Sequence, residues 1–502
     1  MPLQIFYGDI HNHCGISYGH GPLEDALANA RQQLDFCSVT GHAHWPDMPD
    51  EPGRLEGLVQ YHLDGFAKLA NNWPRVLDTM NAANDPGRFV TFPSFEWHSM
   101  RSGDHAVYYR DGEGKLLRPD SIEDLYAQLD ALDEAGVAVM ANPHHIGYHR
   151  GSRGINWDHY DPRFAPVVEM MSMHGCAESD ASPKPYLHTM GPCDHTSTMQ
   201  YGLAQGHVFG VVGSTDHHSA HPGSYGHGRM GVWAESLTRE SIWEAIFARR
   251  TYALTGDRIE LEFHLNGEPM GSVLEDPDPS RHVSVTVKGG AALEYVEVLR
   301  NNRVIHRHSP APRGDAPLPE TVRAKVLLEM GWGERGVTTH WDARFGIEAG
   351  TILSVEPRFR GSEIVAPQDE EPDAYAFSTC ERVAPNEVRV RTRTDANSTT
   401  STPGMQGVCL EVEMSPHGRV YADFGSRRVS HTLAELVGGS RTGYLGGFVS
   451  PAYRFARATL REEYETTLEF ADRRDQTTAR DWYYVRVCQA NGQWAWSSPI
   501  WV

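Results

Sequence analysis

Near the start of the chain, Gly8-Asp9-Ile10-His11-Asn12-His13 runs an apolar segment into His-x-His. Side chains alternate faces in an extended chain, so His11 and His13 point the same way and one metal ion can take both. Same-face histidines also serve as ordinary hydrogen-bonding residues of a core, so the pair alone decides nothing. Repetition decides. Val39-Thr40-Gly41-His42, Phe95-Glu96-Trp97-His98, Asn142-Pro143-His144-His145, Ser172-Met173-His174-Gly175 and Ser214-Thr215-Asp216-His217-His218 each set an imidazole or carboxylate at or just after an apolar run. Five such coincidences are improbable by chance. Of the 27 histidines, 20 fall between His11 and His227. Solubilising surface residues would spread evenly, whereas neutral imidazole gathers where transition-metal sites are built. Imidazoles suit Zn, Fe or Mn, carboxylates can bridge two ions, and mixed nitrogen and oxygen ligation argues against Ca or Mg. The chemistry such a set performs is metal-assisted hydrolysis, in which water becomes nucleophilic near neutral pH and charge developing on a phosphoryl or acyl oxygen is stabilised.

Around these residues stand candidates for handling substrate and protons. His218, His217 and His145, beside or within the motifs, are candidate proton donors to the departing oxygen, since imidazole titrates near neutrality. His98 and His105 are candidate substrate contacts, with hydrogen-bonded structural histidines as the competing reading. Arg101, Arg229 and Arg250 could grip an anionic substrate through the planar guanidinium fork, although ordinary arginines pair with surface acids. Cys14 and Cys176 lack a dedicated activating base and read as small packing residues. Asp111-Gly112-Glu113-Gly114-Lys115 lacks the spacing of a phosphate-binding loop and reads as a turn.

The elements that must position these residues are legible as alternating runs. Apolar strands are expected at Ile5 to Ile10, Phe36 to Thr40, Phe89 to Phe95, Val137 to Ala141, Val167 to Met171 and Phe209 to Ser214. Helices are expected near 22–33, 56–82, 121–134, 196–205 and 238–249. The pattern is that of βα units around a parallel sheet or barrel, where loops after the carboxyl ends of strands converge. Asp9 to His13, His42, Glu96, His144 and Asp216 should then meet. After about residue 258 the texture changes to alternating strands with hairpin turns at Asn266-Gly267, Asn301-Asn302 and Asn491-Gly492. The segments Pro367 to Pro372 and Asp395 to Pro403 read as polar loops. Trp482, Trp494, Trp496 and Trp501 suit either a sugar-stacking face or a β core. The expected division is a hydrolase-type unit over 1–257 and a β-rich unit over 258–502.

The ordered set His11-x-His13, His42, His144 and Asp216-x-His218 resembles the four motifs of the PHP (polymerase and histidinol phosphatase) superfamily of metal-dependent hydrolases. With Arg250-Thr251-Tyr252-Ala253-Leu254-Thr255-Gly256-Asp257 following, it looks like a bacterial PHP-like branch catalogued as a domain of unknown function. The resemblance implies an α/β fold: a distorted seven-stranded, TIM-like β/α barrel, here followed by a β-rich, sandwich-like C-terminal domain. It implies two or three divalent ions (Mn, Zn or Fe). His11, His13, Glu96 and Asp216 would hold one, a bridging Glu96 with His144 and His174 the second, and His20, His42 and His218 the third. Two departures stand out: Gly41 occupies a place where many members carry Asp, and His20 lies in a glycine-rich loop. The commonest activity of the superfamily implies hydrolysis of a phosphoester. An amidohydrolase-like action on an ester, lactone or amide is the alternative, and a non-catalytic metal-containing binding protein the second.

Composition bounds the partners. The net charge of −21 repels polyanions, so nucleic acid is not expected as a partner, while the small, anionic substrate that the resemblance implies could still reach a metal. No run of apolar residues is long enough to cross a membrane, and seven widely spaced cysteines without Cys-x-x-Cys argue against a disulfide framework, so a cytoplasmic protein is expected. A homo-oligomer is expected only by analogy with large bacterial metallohydrolases.

Overall fold

The computed structural model describes residues 2–275, 279–311, 317–362, 374–396, 404–475 and 478–502. Pro367 to Pro372 lies outside these residues, as does the end of the second polar loop through Pro403.

The helices fall where the apolar periodicity places them: Leu23–Gln33, Glu56–Ala83, Ile122–Glu134, Met199–Ala204 and Arg239–Phe247. Glu56–Ala83 buries His62, Phe66, Leu69, Trp73, Val76 and Met80, a spacing of three and four that keeps one face inward. Ser121 and Thr238 cap their helices by accepting the N–H of Asp124 and Ser241 at 3.2 Å each, which fixes where those helices begin.

The strands do not close into a barrel. Strand accounts for 38 % of the chain and helix for 17 %, and the described residues show separate sheets in place of the expected seven-stranded β/α barrel. Some pairs are parallel: Gln4–Asp9 with Phe36–Cys37, Phe36–Cys37 with Val90–Thr91, Gly41–His44 with Ser94–Trp97, and Val167–Ser172 with Gly210–Gly213. Others are antiparallel: Ser94–Trp97 pairs His105–Tyr109, which pairs Val139–Pro143, while Gln4–Asp9 pairs Arg229–Ala234. For Ser94–Trp97 and His105–Tyr109 the reason is chain length between strands. Residues 98–104 are too few for the helical crossover a parallel neighbour requires, which takes roughly a dozen residues or more, so the chain turns back on itself.

One sheet runs through both halves of the sequence. In order it contains Arg303–His308, Leu293–Arg300, Trp482–Gln489, Trp494–Ser497, Thr251–Leu254, Arg229–Ala234, Gln4–Asp9, Phe36–Cys37 and Val90–Thr91. Ala253 faces Trp496 across the join. Beneath it, Met170, Val211 and Ala253 share a core with Tyr484, Trp496 and Trp501. Trp496 and Trp501 are buried, 0 % and 2 % exposed, so these two rings fill the core and offer no open face. Truncating one to alanine would cost about 3–5 kcal/mol.

Beyond Glu260, two further sheets pack face to face. Val326 and Leu328, Leu410 and Val412 from one meet Ala343 and Phe345, Val388 and Val390 from the other in a single core. The three hairpins marked by Asn-Gly and Asn-Asn are present. Asn266, Asn301 and Asn302 hold φ of 53°, 50° and 64°, the left-handed values that tight two-residue turns need. Among the described residues no helix is long and apolar enough to cross a membrane.

Candidate metal centre

The site is assembled from strand ends. His11 and His13 follow Gln4–Asp9, His42 and Glu96 lie within Gly41–His44 and Ser94–Trp97, and His144 follows Val139–Pro143. His174 sits in the turn after Val167–Ser172, and Asp216 and His218 follow Gly210–Gly213. Four overlapping groups of ligand-type side chains result among the described residues. They are His11, His13 and Asp216; His13, His42 and His218; His42, Glu96 and His98; and Glu96, Asp104, His144 and His145.

The distances are short. Nε2 of His13 lies 2.8 Å from Oδ1 of Asp216 and 3.2 Å from Nε2 of His11. Glu96 joins these, its Oε2 3.4 Å from His13 Nε2, 3.8 Å from His11 Nε2 and 2.9 Å from His42 Nδ1, while its Oε1 is 2.8 Å from His144 Nε2. His174 turns Nε2 to Oδ2 of Asp216 at 2.6 Å and joins no group with Glu96. His20 joins none of the groups; its backbone N–H donates to the His218 carbonyl at 2.7 Å, and His13 completes the set with His42 and His218.

The other sequence candidates are distributed unevenly. His98 lies in the cluster, its Nδ1 3.2 Å from Glu96 Oε1. His145 is there too, with Nε2 3.3 Å from Asp104 Oδ2. His217 turns its ring toward His221 and His227 and accepts the N–H of Ser219 on Nδ1 at 3.2 Å. His105 donates from Nδ1 to the Gly103 carbonyl at 2.9 Å and packs by Trp97. Arg229 is fully buried, with Nε and Nη2 donating to the Gly223 carbonyl and Nη2 also to Gln33 Oε1, and it joins none of the ligand groups. Arg250 donates to the Trp233 carbonyl and pairs with Glu244. Arg101 stands in solvent, 4.0 Å from Glu123.

Residues the motifs did not mark, together with the backbone of Asp216, hold the ligands in place. Glu169 accepts Nδ1–H of His11 at 2.7 Å, which turns the Nε2 lone pair inward. The Asp216 carbonyl does the same for His218 at 2.8 Å, and the Tyr148 hydroxyl shares a 2.7 Å hydrogen bond with His174 Nδ1. Asp104, fully buried, is gripped by the guanidinium of Arg153, which also donates to His98 Nδ1 at 2.8 Å and lies over the Trp45 ring. Tyr18 stacks on His42 with ring centres 3.6 Å apart.

Burial lowers His11, but Asp216 and Glu169 outweigh it and raise it well above the usual imidazole value, so without a cation the cluster holds a proton there. Burial alone would raise the carboxyls of Glu96 and Asp216. For Glu96, His98, His42 and His144 outweigh it; for Asp216, His11 and His174 do; both are held well below the usual carboxylate range. Burial and the neighbouring His13 depress His42, and burial and His11 depress His144, which keeps both imidazoles neutral and able to ligate. His218 falls to about 3 through burial and His13.

Comparison with known proteins places this architecture among uncharacterized relatives. Residues 51–169 and 223–294 match a family described as a protein of unknown function, DUF3604. Those spans carry Glu96, Asp104, His144, His145, Arg153 and Glu169, while His11, His13, His42, Asp216 and His218 lie outside them. An uncharacterized protein of Chlamydia pneumoniae is 27 % identical over 261 residues, covering 47 % of this chain and 41 % of that one. Uncharacterized proteins of Chlamydia trachomatis serovar D and Chlamydia muridarum are 23 % and 28 % identical over 318 residues, covering 55 % of this chain and 50 % of theirs. The chain thus spans about half the length of the curated relatives it matches. Among solved structures, a two-domain protein from Bacteroides vulgatus, described as containing a predicted PHP-like metal-dependent phosphoesterase, aligns over 86 % of this chain and 96 % of its own. Its identity is 10 % and its TM-score 0.33.

Proposed function

We propose that the chain is a metal-dependent hydrolase whose centre takes two or three divalent ions and whose substrate is a small, anionic phosphoester. The carrying observation is Glu96 Oε2. It is buried within 3.8 Å of nitrogens from His42, His13 and His11, yet makes no hydrogen bond, and His174 Nε2 is similarly orphaned beside Asp216. Lone pairs converging without a shared proton cost energy that a cation between them removes.

His11, His13, Glu96 and Asp216 would hold one ion and His13, His42 and His218 another, with Glu96 also facing His144. A divalent ion supplies Lewis acidity there, drawing charge from a phosphoryl oxygen and making water nucleophilic near neutral pH. The chain's own groups set the rest. Glu169 and the Asp216 carbonyl commit the Nδ1 protons of His11 and His218, so neither ring swings away. His218, so fixed, serves as a ligand. Of the three proton-donor candidates, His145 keeps Nδ1 without a partner while Asp104 faces Nε2; burial lowers its pKa, so the neutral ring would take a proton at Nδ1 from the attacking water and return it to the departing oxygen.

Elemental mass spectrometry on the purified wild type and on Glu96→Ala with Asp216→Ala, alongside hydrolysis of generic phosphate mono- and diesters, tests this reading. Two or three equivalents of Mn, Fe or Zn lost together with phosphoester turnover in the double variant is the expected result. Bound metal without phosphoester turnover would redirect the search to esters, lactones and amides. A wild type that holds no metal after reconstitution would overturn the reading.

A further inference from the structure

The loop after Gly210–Gly213 carries Asp216 and His218 on a backbone that does not relax by itself. Asp216 and Ala220 hold φ of 54° and 50°, left-handed values that persist in non-glycine residues only where the surroundings impose them. Part of that restraint comes from the N-terminal strand. Asp9 accepts the N–H of Thr215 at 3.1 Å, its hydroxyl at 2.5 Å and the N–H of Gly223 at 2.8 Å. The N–H of His13 donates to the His217 carbonyl at 2.8 Å.

The opposite flank is held by residues far along the chain, from the β-rich half. The N–H of Tyr225 donates to the Phe359 carbonyl at 2.9 Å and the N–H of Gly361 to Ser224 Oγ at 3.1 Å. The Asn29 amide bridges the carbonyls of Ala220 and Tyr375 at 2.8 and 2.9 Å, and the Phe377 ring lies 6.1 Å from His221. Gly361 is seated hard against the loop: a Cβ there would lie 2.5 Å from His221 Cβ and 2.6 Å from His217 Cε1. His221 is 1 % exposed and neither ring nitrogen has a hydrogen bond, so packing alone fixes it against Gly361.

We propose that residues 359–361 and 375–377 clamp the loop that bears Asp216 and His218, and that Gly361 is a positioning residue of the metal centre, acting through His217 and His221. This rests on the metal-centre reading above. Magnitudes favour it over simple packing between the halves. A Cβ at 2.5 Å must retreat to roughly 3.5–4.0 Å, a shift on the order of 1 Å. Metal–ligand distances tolerate only about 0.2 Å. Displacement at Gly361 is therefore several times what Asp216 and His218, one and three residues from the clamped imidazoles, can absorb.

The test compares full-length wild type, Gly361→Ala, Gly361→Val and Gly443→Val. The last is a control in the same half, where a Cβ would meet the Tyr453 hydroxyl at 2.4 Å, away from the loop. Each is loaded with Zn²⁺ and titrated with a chelator, then loaded with Co²⁺ and its visible absorption recorded as a report on ligand geometry, with thermal unfolding alongside. Gly361→Val should weaken metal binding roughly 10- to 100-fold and alter the Co²⁺ bands, Gly361→Ala should fall between, and Gly443→Val should lower thermal stability with wild-type metal binding. Wild-type affinity and spectrum in Gly361→Val, or equal losses in Gly443→Val, would overturn the clamp while leaving the metal centre standing. A wild type that binds no metal would overturn both. Should Gly361→Val not fold, Ser224→Ala with Phe377→Ala removes clamp contacts without a clash. Several-fold weaker binding supports the clamp, and unchanged affinity overturns it.

Discussion

Glu169 Oε2 accepts Nδ1–H of His11 at 2.7 Å while its other oxygen accepts the backbone N–H of His145 at 3.1 Å. One buried carboxylate thus sets the angle of a ligand on one strand and the start of the loop after another. Glu169→Ala should weaken metal binding by roughly 10- to 100-fold although Glu169 is not itself among the converging ligands. Chelator competition checks this; an unchanged affinity would mean His11 is held by packing alone.

Arg153 is the sole arginine that grips Asp104 among the described ion pairs, and Asp104 is fully buried. Arg153→Ala leaves that carboxylate without its main counter-charge and should cost about 3–5 kcal/mol in denaturant unfolding. Arg153→Lys should recover little, because a single ammonium cannot span Asp104 and His98 as the guanidinium does. A loss below about 1 kcal/mol would show that the histidines alone satisfy Asp104.

A buried network joins the two halves: Glu356 accepts the N–H of Arg258 at 2.7 Å and pairs with Arg358, which also reaches Asp257. Burial opposes the charge on Glu356, but Arg358 and then Lys325 overcome it and bring its pKa from 4.5 to about 2. The folded value lies below the unfolded one, so the carboxylate contributes stability above about pH 4.5 that is lost as pH falls toward 2. The gap in melting temperature between wild type and Glu356→Gln should be wide near neutrality and narrow across that window. A gap independent of pH would contradict the assignment.

All seven cysteines are free, and only Cys193 and Cys380 are partly exposed. Burial raises the Cys14 thiol to about 12 and that of Cys409 to about 11, which suppresses thiolate at neutral pH. A thiol-reactive dye should label at most those two in the native protein and all seven after denaturation. Rapid labelling of Cys14, beside His13, would reopen the question of a thiol nucleophile.

The helices and the convergence of His11, His13, His42, Glu96, His144 and Asp216 were legible because they follow from periodicity and from ligand types at strand ends. Strand direction was not. Apolar periodicity marks Phe89 to Phe95 as a single strand, whereas the chain breaks there into Val90–Thr91 and Ser94–Trp97 and turns back through His105–Tyr109, a hairpin that only the short stretch between the last two signals. Glu169 left a trace that was readable: a lone acid inside the apolar Val167–Ser172 must have a partner when buried. Asp104 and Arg153 left none. They lie on separate loops 49 residues apart, and nothing in either neighbourhood announces the other. His20 shows the reverse case, since the place in the chain where the resemblance implies a ligand did not bring it into any ligand group.

The pairing of Thr251–Leu254 with Trp494–Ser497 also has a temporal side. Trp494 donates to the Thr255 hydroxyl across 239 residues of chain. At about 5–20 residues per second, the free edge of the sheet that seats His11 and His13 waits on the order of ten to fifty seconds on the ribosome for its neighbour. An unpaired apolar edge held open that long invites pairing with another chain. Ribosome-bound chains stalled before Trp494 should be protease-sensitive and captured by chaperones, and chains carried past Ser497 by a linker long enough to clear the exit tunnel should become resistant. Protection appearing well before that length would show that the sheet matures without its distant partner.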